Sequence, residues 1–196
     1  MNLSQRPRLL LMIVATGLVV LSILAWYFQP WRLFTNTTVS EALPTAGTEI
    51  SAEQIPSKTS PATSSTRSHL SENSDPDLPV EFPLVLREGS FISHEHQTSG
   101  KLLILELENG DRILRIENLD TSDGPDLEIW LSDAPVIQGI DGWRVFDDGN
   151  YLSLGKLKGN LGDQNYEIPA EVDLEDFSSV SIWCVRFAVS FGAAEL

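Results

Sequence analysis

A run of about 20 uncharged, mostly apolar residues, Leu9–Phe28, constrains this chain more than any other feature. An α-helix rises 1.5 Å per residue, so a run of this length spans a hydrocarbon layer of roughly 30 Å. Trp26, Tyr27 and Trp31 cluster at its far end, as aromatic side chains do at a membrane interface. The sequence therefore predicts a single transmembrane helix over residues 9–28.

Basic residues on the two sides of this run indicate its orientation. Arg6 and Arg8 precede the run and Arg32 follows it, and cytoplasmic flanks carry the excess of positive charge. We expect residues 1–8 in the cytoplasm and the remainder outside it, as a periplasmic or cell-surface domain. A cleaved signal peptide is the alternative. The run is long for such a peptide and no small-residue cleavage site follows it directly, which favours an uncleaved anchor.

The segment after the apolar run has the composition of a linker. Residues 35–81 contain no Phe, Trp or Tyr and are rich in Ser, Thr and Pro. Such a segment buries too little apolar surface to offset the entropy lost on ordering. We predict a disordered linker over residues 29–81, with an end-to-end distance of about 35–40 Å if it is flexible throughout.

The region from residue 82 to the C-terminus is strongly acidic, with 8 Lys and Arg against 21 Asp and Glu. Nucleic-acid binding needs a basic surface, so the charge excludes nucleic acid as a partner. An acidic surface can steer the domain towards a basic partner or bind cations. It can also do no more than keep the domain soluble.

Short apolar segments separated by turn residues predict the fold of residues 82–196. Asn109-Gly110 between two alternating segments, residues 101–108 and 112–117, is a strong hairpin signal. Further strands are predicted over residues 126–131, 151–157, 165–168 and 180–187. This pattern is typical of an all-β domain, an antiparallel β-sandwich or barrel.

Cys184 is the only cysteine of the chain and lies in the predicted buried strand Val180–Phe187. Alternation along a strand would place Arg186 on the same face as the thiol. A guanidinium near a thiol lowers the thiol pKa and makes the sulfur nucleophilic or able to ligate a metal. Cys184 could instead be a small buried hydrophobe, with Arg186 paired to an acid. A disulfide with a second chain is a further alternative.

His94 and His96 form a second candidate site. In an extended segment both imidazoles would project from one face, and such a pair can ligate Cu, Zn, Ni or Fe. With Cys184 they would form the two-His, one-Cys ligand set of a copper electron-transfer site, although the domain has no Met to serve as an axial ligand. Haem ligation by Cys184 or a histidine is a separate hypothesis; there is no Cys-x-x-Cys-His motif. Two loop histidines exposed to solvent are the alternative.

The glycine-rich stretch Gly155–Tyr166 is the third candidate. Its backbone N–H groups could cradle an anion, but it lacks the Gly-Lys-Ser/Thr ending of a P-loop. Alternatively it is a loop with left-handed turns whose backbone is held by Asp163, Gln164 and Tyr166.

Four segments together resemble the DM13 domain family: Gly155–Pro169, Val180–Ala194, His96–Gly100 and Gly124–Leu127. The resemblance covers roughly residues 82–196, and the combination of motifs is specific. It implies an electron-transfer module of the kind found beside DOMON and cytochrome-type domains, with the cysteine as a redox or cofactor-binding group. The residues implied at a cofactor site are Cys184, Trp183, Asp163, Gln164 and Tyr166.

Taken together, the sequence predicts a membrane-tethered redox module outside the cytoplasm that handles electrons through Cys184. A redox protein is the expected partner, and haem or copper are the candidate cofactors. The alternative is a non-catalytic ligand-binding or adhesion β-sandwich with Cys184 in its core. The sequence contains no Gly-x-Ser-x-Gly elbow, no His-Glu-x-x-His motif and no Rossmann fingerprint, which favours a module over a stand-alone enzyme.

Overall fold

The computed structural model describes residues 6–44 and 82–196. Its first element is helix α1 (Arg6–Phe28). The window Leu11–Phe28 has a mean hydropathy of 2.3, and none of it is buried by the rest of the protein. The helix is therefore long and apolar enough to cross a membrane, and it suggests membrane anchoring. It begins three residues before the predicted span.

Within residues 6–44 and 82–196, ten β-strands form two five-stranded sheets. Sheet A has the order β1-β8-β5-β4-β2 and sheet B the order β3-β10-β9-β6-β7. All neighbours pair antiparallel except β1 and β8, which are parallel. The strands are β1 (Thr38–Ser40), β2 (Leu84–Ser90), β3 (Ile92–Ser93), β4 (Ser99–Glu106), β5 (Arg112–Asp120), β6 (Leu127–Ser132), β7 (Tyr151–Lys156), β8 (Leu161–Ile168), β9 (Ser179–Cys184) and β10 (Val189–Glu195). The prediction of an all-β domain is confirmed, and its two sheets form a sandwich.

The main core lies between the two sheets and takes apolar side chains from both, including Ile104 and Leu114 of sheet A and Ile129 and Ile182 of sheet B. A second cluster covers the outer face of sheet B; its buried members are Trp130, Ala134, Phe146, Trp183 and Ala193. Because β9 has apolar cover on both faces, all six of its residues are buried. Burial on both faces explains why β9 carries no charged residue.

The predicted hairpin is present, with Gly110 in a left-handed conformation at φ 84° between β4 and β5. The predicted strand over residues 180–187 is wrong at its C-terminal end. Strand β9 stops at Cys184, and residues 185–188 form the turn to β10, with Ala188 at φ 47°. Arg186 therefore lies in a turn, and strand alternation from Cys184 does not set the direction of its side chain.

Part of the predicted linker is ordered against the domain. Residues 30–34 form a 3-10 turn, and β1 pairs in parallel with β8, so the prediction of disorder is wrong for these residues. Asn160 explains the ordering: its side-chain oxygen accepts from the Thr37 backbone N–H at 2.7 Å, and its amide donates to Asn36 at 2.9 Å. Leu43 then packs on the outer face of sheet A. Predicted linker residues 45–81 lie outside the described part of the chain.

Candidate functional site

Cys184 ends strand β9 and its thiol is fully buried in the main core. Burial raises the pKa of the Cys184 thiol, and backbone hydrogen bonds from Phe187 and Arg186 offset this only in part. The nearby carboxylates of Asp126 and Glu95 raise that pKa further. The group is therefore a neutral, inaccessible thiol in this conformation.

Arg186 does not act on this thiol through its side chain. Its guanidinium donates to the backbone carbonyl of Tyr27 at the end of α1 and lies 5.5 Å from the centre of the Tyr27 ring. What Arg186 offers to Cys184 is its backbone N–H. The expected lowering of the thiol pKa by the guanidinium is thus wrong, because the turn after Cys184 directs the side chain towards the end of helix α1.

His94 is buried, and both of its ring nitrogens have partners. Nε2 lies 3.1 Å from the carbonyl of Ile137 and Nδ1 lies 2.9 Å from the hydroxyl of Ser190. A carbonyl only accepts, so Nε2 carries the proton in the neutral ring and Nδ1 accepts from the serine. Desolvation lowers the His94 pKa more than the Ile137 bond raises it. The ring is a satisfied, uncharged core group.

His96 occupies a different environment from His94. Its ring packs against that of Phe191 at a tilt of 32°, with centroids 3.9 Å apart, and its Nε2 lies 2.8 Å from a Glu95 carboxylate oxygen. The His94 ring instead packs near Phe146, in the cluster outside sheet B. The segment bends rather than continuing β3, so the two imidazoles do not share a face as expected.

The residues as placed do not fit the hypothetical copper site. Within residues 6–44 and 82–196, no group of three or more His, Cys, Asp and Glu side chains could hold a metal ion. A haem would need an open position at its ligand, and the Cys184 sulfur is 0% exposed. Ligation of either group through Cys184 would require the sandwich to open around β9.

The glycine-rich stretch is held by its own polar side chains. The Gln164 carbonyl oxygen accepts from the Lys158 backbone N–H at 3.1 Å, and its amide donates to the Gly159 carbonyl at 2.8 Å. Tyr166 donates to the same Gln164 oxygen at 2.7 Å, and burial raises the pKa of its phenol. Gln164 and Tyr166 are both buried, so they brace the loop and present nothing to solvent.

Asp163 braces a neighbouring segment. One carboxylate oxygen accepts from the Asn118 backbone N–H at 2.7 Å, and the other lies 3.4 Å from the guanidinium of Arg115. Asn118 has a φ of 51°, a left-handed conformation in which its N–H needs a partner outside the regular strand ladder. Asp163 thus supports the bulge in β5.

A cleft of about 300 Å³ lies beside the strand end that carries Cys184. Two elements of it come from the motifs singled out above: the turn at Gly124–Leu127 and the start of the glycine-rich stretch at Lys156–Gly159. Arg32 and Thr37, from the segment after α1, complete it. Leu127 pairs directly with Cys184 across the sheet, so one strand separates the cleft from the thiol.

Trp183, the neighbour of Cys184, faces the opposite side of β9 and is 1% exposed. Its ring lies 5.3 Å from that of Trp130, which in turn stacks on Tyr151 at 4.0 Å. Sequence reasoning missed Trp130 and Tyr151 as partners of Trp183. Glu128 and Trp130 lie on one face of a single predicted strand. The sequence does not show which strands lie beside that strand, because sheet order is a property of the tertiary structure.

The family model described as Electron transfer DM13 matches residues 90–196, more than half of the chain. Its range begins at the last residue of β2 and takes in every later strand, Cys184 and the glycine-rich stretch. No curated protein and no solved structure matches the chain. The match confirms the resemblance predicted from the motifs, and the chain belongs to the DM13 family of electron-transfer domains.

Proposed function

We propose that this protein is a membrane-tethered electron-transfer module, held outside the cytoplasm by helix α1, in which Cys184 is the redox group. The match of residues 90–196 to an electron-transfer family carries the proposal. The only cysteine of the chain lies within the matched region, on a strand that is buried along its whole length. A redox protein is the expected partner.

The buried thiol sets the chemistry that this function requires. Oxidation of a neutral thiol by one electron releases one proton as well, so the sulfur needs both an electron route and a proton acceptor. Shielding from solvent protects such a sulfur from stepwise oxygenation, which follows thiolate character and exposure. Burial therefore disfavours nucleophilic attack by Cys184, and the nearby carboxylate of Asp126 is the candidate acceptor for the thiol proton during electron exchange.

The test is voltammetry of the full chain in detergent micelles, compared with Cys184→Ala and Cys184→Ser. Spectra are recorded as isolated and after addition of haem or Cu²⁺. A reversible wave that disappears in both variants supports the proposal. A wave that persists in Cys184→Ala would place the redox group elsewhere, and the absence of any wave under every condition would overturn electron transfer.

A second candidate function rests on the cleft beside β9. It is lined by Arg32, Lys156 and Lys158 together with Asp123 and Asp126, a mixed charge pattern that suits a small polar ligand. In that case the domain is a binding module and Cys184 is core. Thermal stabilisation by a panel of small zwitterions, lost in Lys158→Ala and intact in Cys184→Ala, would favour this function.

A further inference from the structure

Sheet register brings three oxidisable aromatic side chains together on the outer face of sheet B. Trp130 of β6 pairs with Ser181 of β9, so Trp183 lies two residues further along as a diagonal neighbour. On the other side Trp130 pairs with Ser153 of β7, and Tyr151 is the diagonal neighbour there. Aromatic side chains reach each other across such diagonals. The three rings therefore form a row that crosses β7, β6 and β9.

The row runs from solvent into the interior. Tyr151 is 48% exposed, Trp130 is 5% exposed and Trp183 is 1% exposed. The Tyr151 and Trp130 rings are parallel within 2° at 4.0 Å, and the two indoles lie 5.3 Å apart at 29°. Rings at these separations are in van der Waals contact, and electronic coupling between π-systems is strongest at contact. Trp183 is joined through the backbone to Cys184.

The middle ring of the row, Trp130, has a carboxylate beside it that can accept its proton. The Trp130 Nε1–H donates to Glu128 Oε2 at 2.8 Å, and the Ser153 hydroxyl donates to the same oxygen at 2.8 Å. Lys156 lies 2.9 Å from the other oxygen. Desolvation raises the Glu128 pKa, but the bonds from Trp130, Lys156 and Ser153 outweigh it and lower that pKa overall. The carboxylate is thus anionic and within proton-transfer distance of the indole.

We propose that Tyr151, Trp130 and Trp183 form a relay for single electrons between the exposed edge of sheet B and the strand that carries Cys184. Glu128 is the positioning residue that holds the proton of Trp130 while this ring is oxidised. The inference deepens the proposed electron-transfer function and rests on it.

The relay step balances in atoms and charge. A one-electron oxidant, such as an oxidised metal complex, removes an electron from Trp183, and an electron from Trp130 replaces it. The Nε1 proton of Trp130 moves to Glu128. An electron from Tyr151 then restores Trp130, the proton returns from Glu128, and the phenol releases its own proton to water. One electron has left Tyr151 and one proton has entered solvent. An external one-electron donor then reduces the tyrosyl radical, which takes a proton back from water to restore the phenol.

The test starts the oxidation at the end of the row of rings that is farthest from Tyr151. A ruthenium polypyridyl photo-oxidant is attached to Glu95→Cys in the full chain in micelles. Residue 95 adjoins β10, three strand spacings or roughly 14 Å from β7, and buried Cys184 is not labelled. After a flash, transient absorption should show a tryptophan radical that decays as a tyrosyl radical rises.

Three variants assign these signals. Tyr151→Phe keeps the stacked ring and should abolish the tyrosyl signal while the tryptophan radical persists. Trp130→Phe removes the middle step and should suppress the tyrosyl signal while sparing the tryptophan radical. Trp31→Phe, at an exposed tryptophan beside the anchor, is the matched control and should leave both signals unchanged.

Proton transfer is tested separately. Glu128→Gln keeps an acceptor for the indole but loses its basicity, so the tyrosyl rise should slow by on the order of 10²-fold, as expected for a positioned proton acceptor. Lys156→Gln keeps the carboxylate and removes a contact that lowers its pKa, so the tyrosyl rise should not slow in this variant. Equal rates in Glu128→Gln and the parent would remove Glu128 from the proposal.

The outcomes separate the relay from the function on which it rests. A tyrosyl signal that is unchanged in Trp130→Phe, together with a voltammetric wave that depends on Cys184, would overturn the relay alone. A tyrosyl signal that depends on Trp130, with no wave in any protein, would overturn the proposed function alone.

Discussion

Cys184 illustrates how one buried side chain couples folding to pH. Its pKa is raised in the folded protein because burial disfavours the thiolate. In the unfolded chain the thiol ionises near the ordinary cysteine pKa of about 8.5. Between these two pKa values the folded state holds a proton that the unfolded state has released, so stability must fall as pH rises.

We therefore expect the free energy of unfolding of the wild-type domain to decrease more steeply above about pH 8.5 than that of Cys184→Ala. The variant should itself cost on the order of 1 kcal/mol at pH 7, because it leaves a small gap in the core. Urea titrations of both proteins from pH 7 to pH 10 measure this difference. Parallel pH profiles would show that the thiol is not buried in solution.

For His94 we expect the opposite dependence of stability on pH, in the acid range. Its pKa is lowered by desolvation, so the stability it contributes is present above its unfolded pKa of about 6.5 and is lost as pH falls below that value. His94→Phe should be less stable at pH 7.5, because Ser190 and Ile137 lose a partner, yet its stability should change less between pH 7 and pH 5. Urea titrations decide this, and an unchanged acid slope in the variant would contradict it.

At the scale of elements, the addition of β1 to sheet A depends on glycines that allow a close approach. A Cβ on Gly159 would lie 2.5 Å from the Thr37 carbonyl oxygen, and one on Gly162 would lie 2.0 Å from that of Val39. Real Cβ atoms do not approach a backbone oxygen so closely. These two glycines of the family motif therefore make room for the segment that follows α1.

Gly159→Ala should consequently displace β1 and destabilise the domain by roughly 1–3 kcal/mol through lost hydrogen bonds. Hydrogen exchange should then become fast at Thr38–Ser40 while β5 stays protected. Gly155→Ala is the matched control: it introduces strain at φ 118° but meets no atom within 4 Å, so β1 should stay protected. Unaltered exchange of β1 in Gly159→Ala would mean that β1 does not pair with β8.

At the scale of the whole molecule, the segment after α1 holds the domain against helix α1. Phe28 stacks on Phe187 with centroids 6.0 Å apart, and Arg186 binds the Tyr27 carbonyl. Arg32 lies 3.4 Å from Asp123, an exposed ion pair worth at most about 1 kcal/mol. The ordering of residues 29–44 brings these contacts about, so the domain is held beside the anchor rather than at the end of a free tether.

Spin labels at Trp31→Cys and Val185→Cys, in a Cys184→Ala background, test this arrangement in micelles. We expect a narrow distance distribution between the two labels, because one lies beside the anchor and the other in the turn that contacts it. Adding Gly159→Ala should broaden the distribution, since β1 is released. A broad distribution in the parent would instead support a tether that is flexible from residue 29.

Much of the architecture was predictable because it depends on local pattern. Twenty uncharged apolar residues can only be solvated by lipid or by a large core, and Asn109-Gly110 between alternating segments specifies a hairpin. The family motifs also marked Cys184 and the glycine-rich stretch. The extent of β9 was overestimated because Val185 and Phe187 continue the apolar alternation, although Ala188 adopts the left-handed turn that ends the strand.

What the sequence alone determined about this protein is its long apolar N-terminal helix, its acidic all-β domain and its family. Tertiary structure decided where each candidate side chain lies. It buries Cys184, directs Arg186 towards Tyr27 and gives both ring nitrogens of His94 a hydrogen-bond partner. It also makes a strand, β1, from residues whose composition is typical of a linker. It also aligned Tyr151, Trp130 and Trp183 across three strands. The physical reason is that strand pairing and register join residues far apart in sequence, and neither can be deduced from the alternation of polar and apolar residues within one strand.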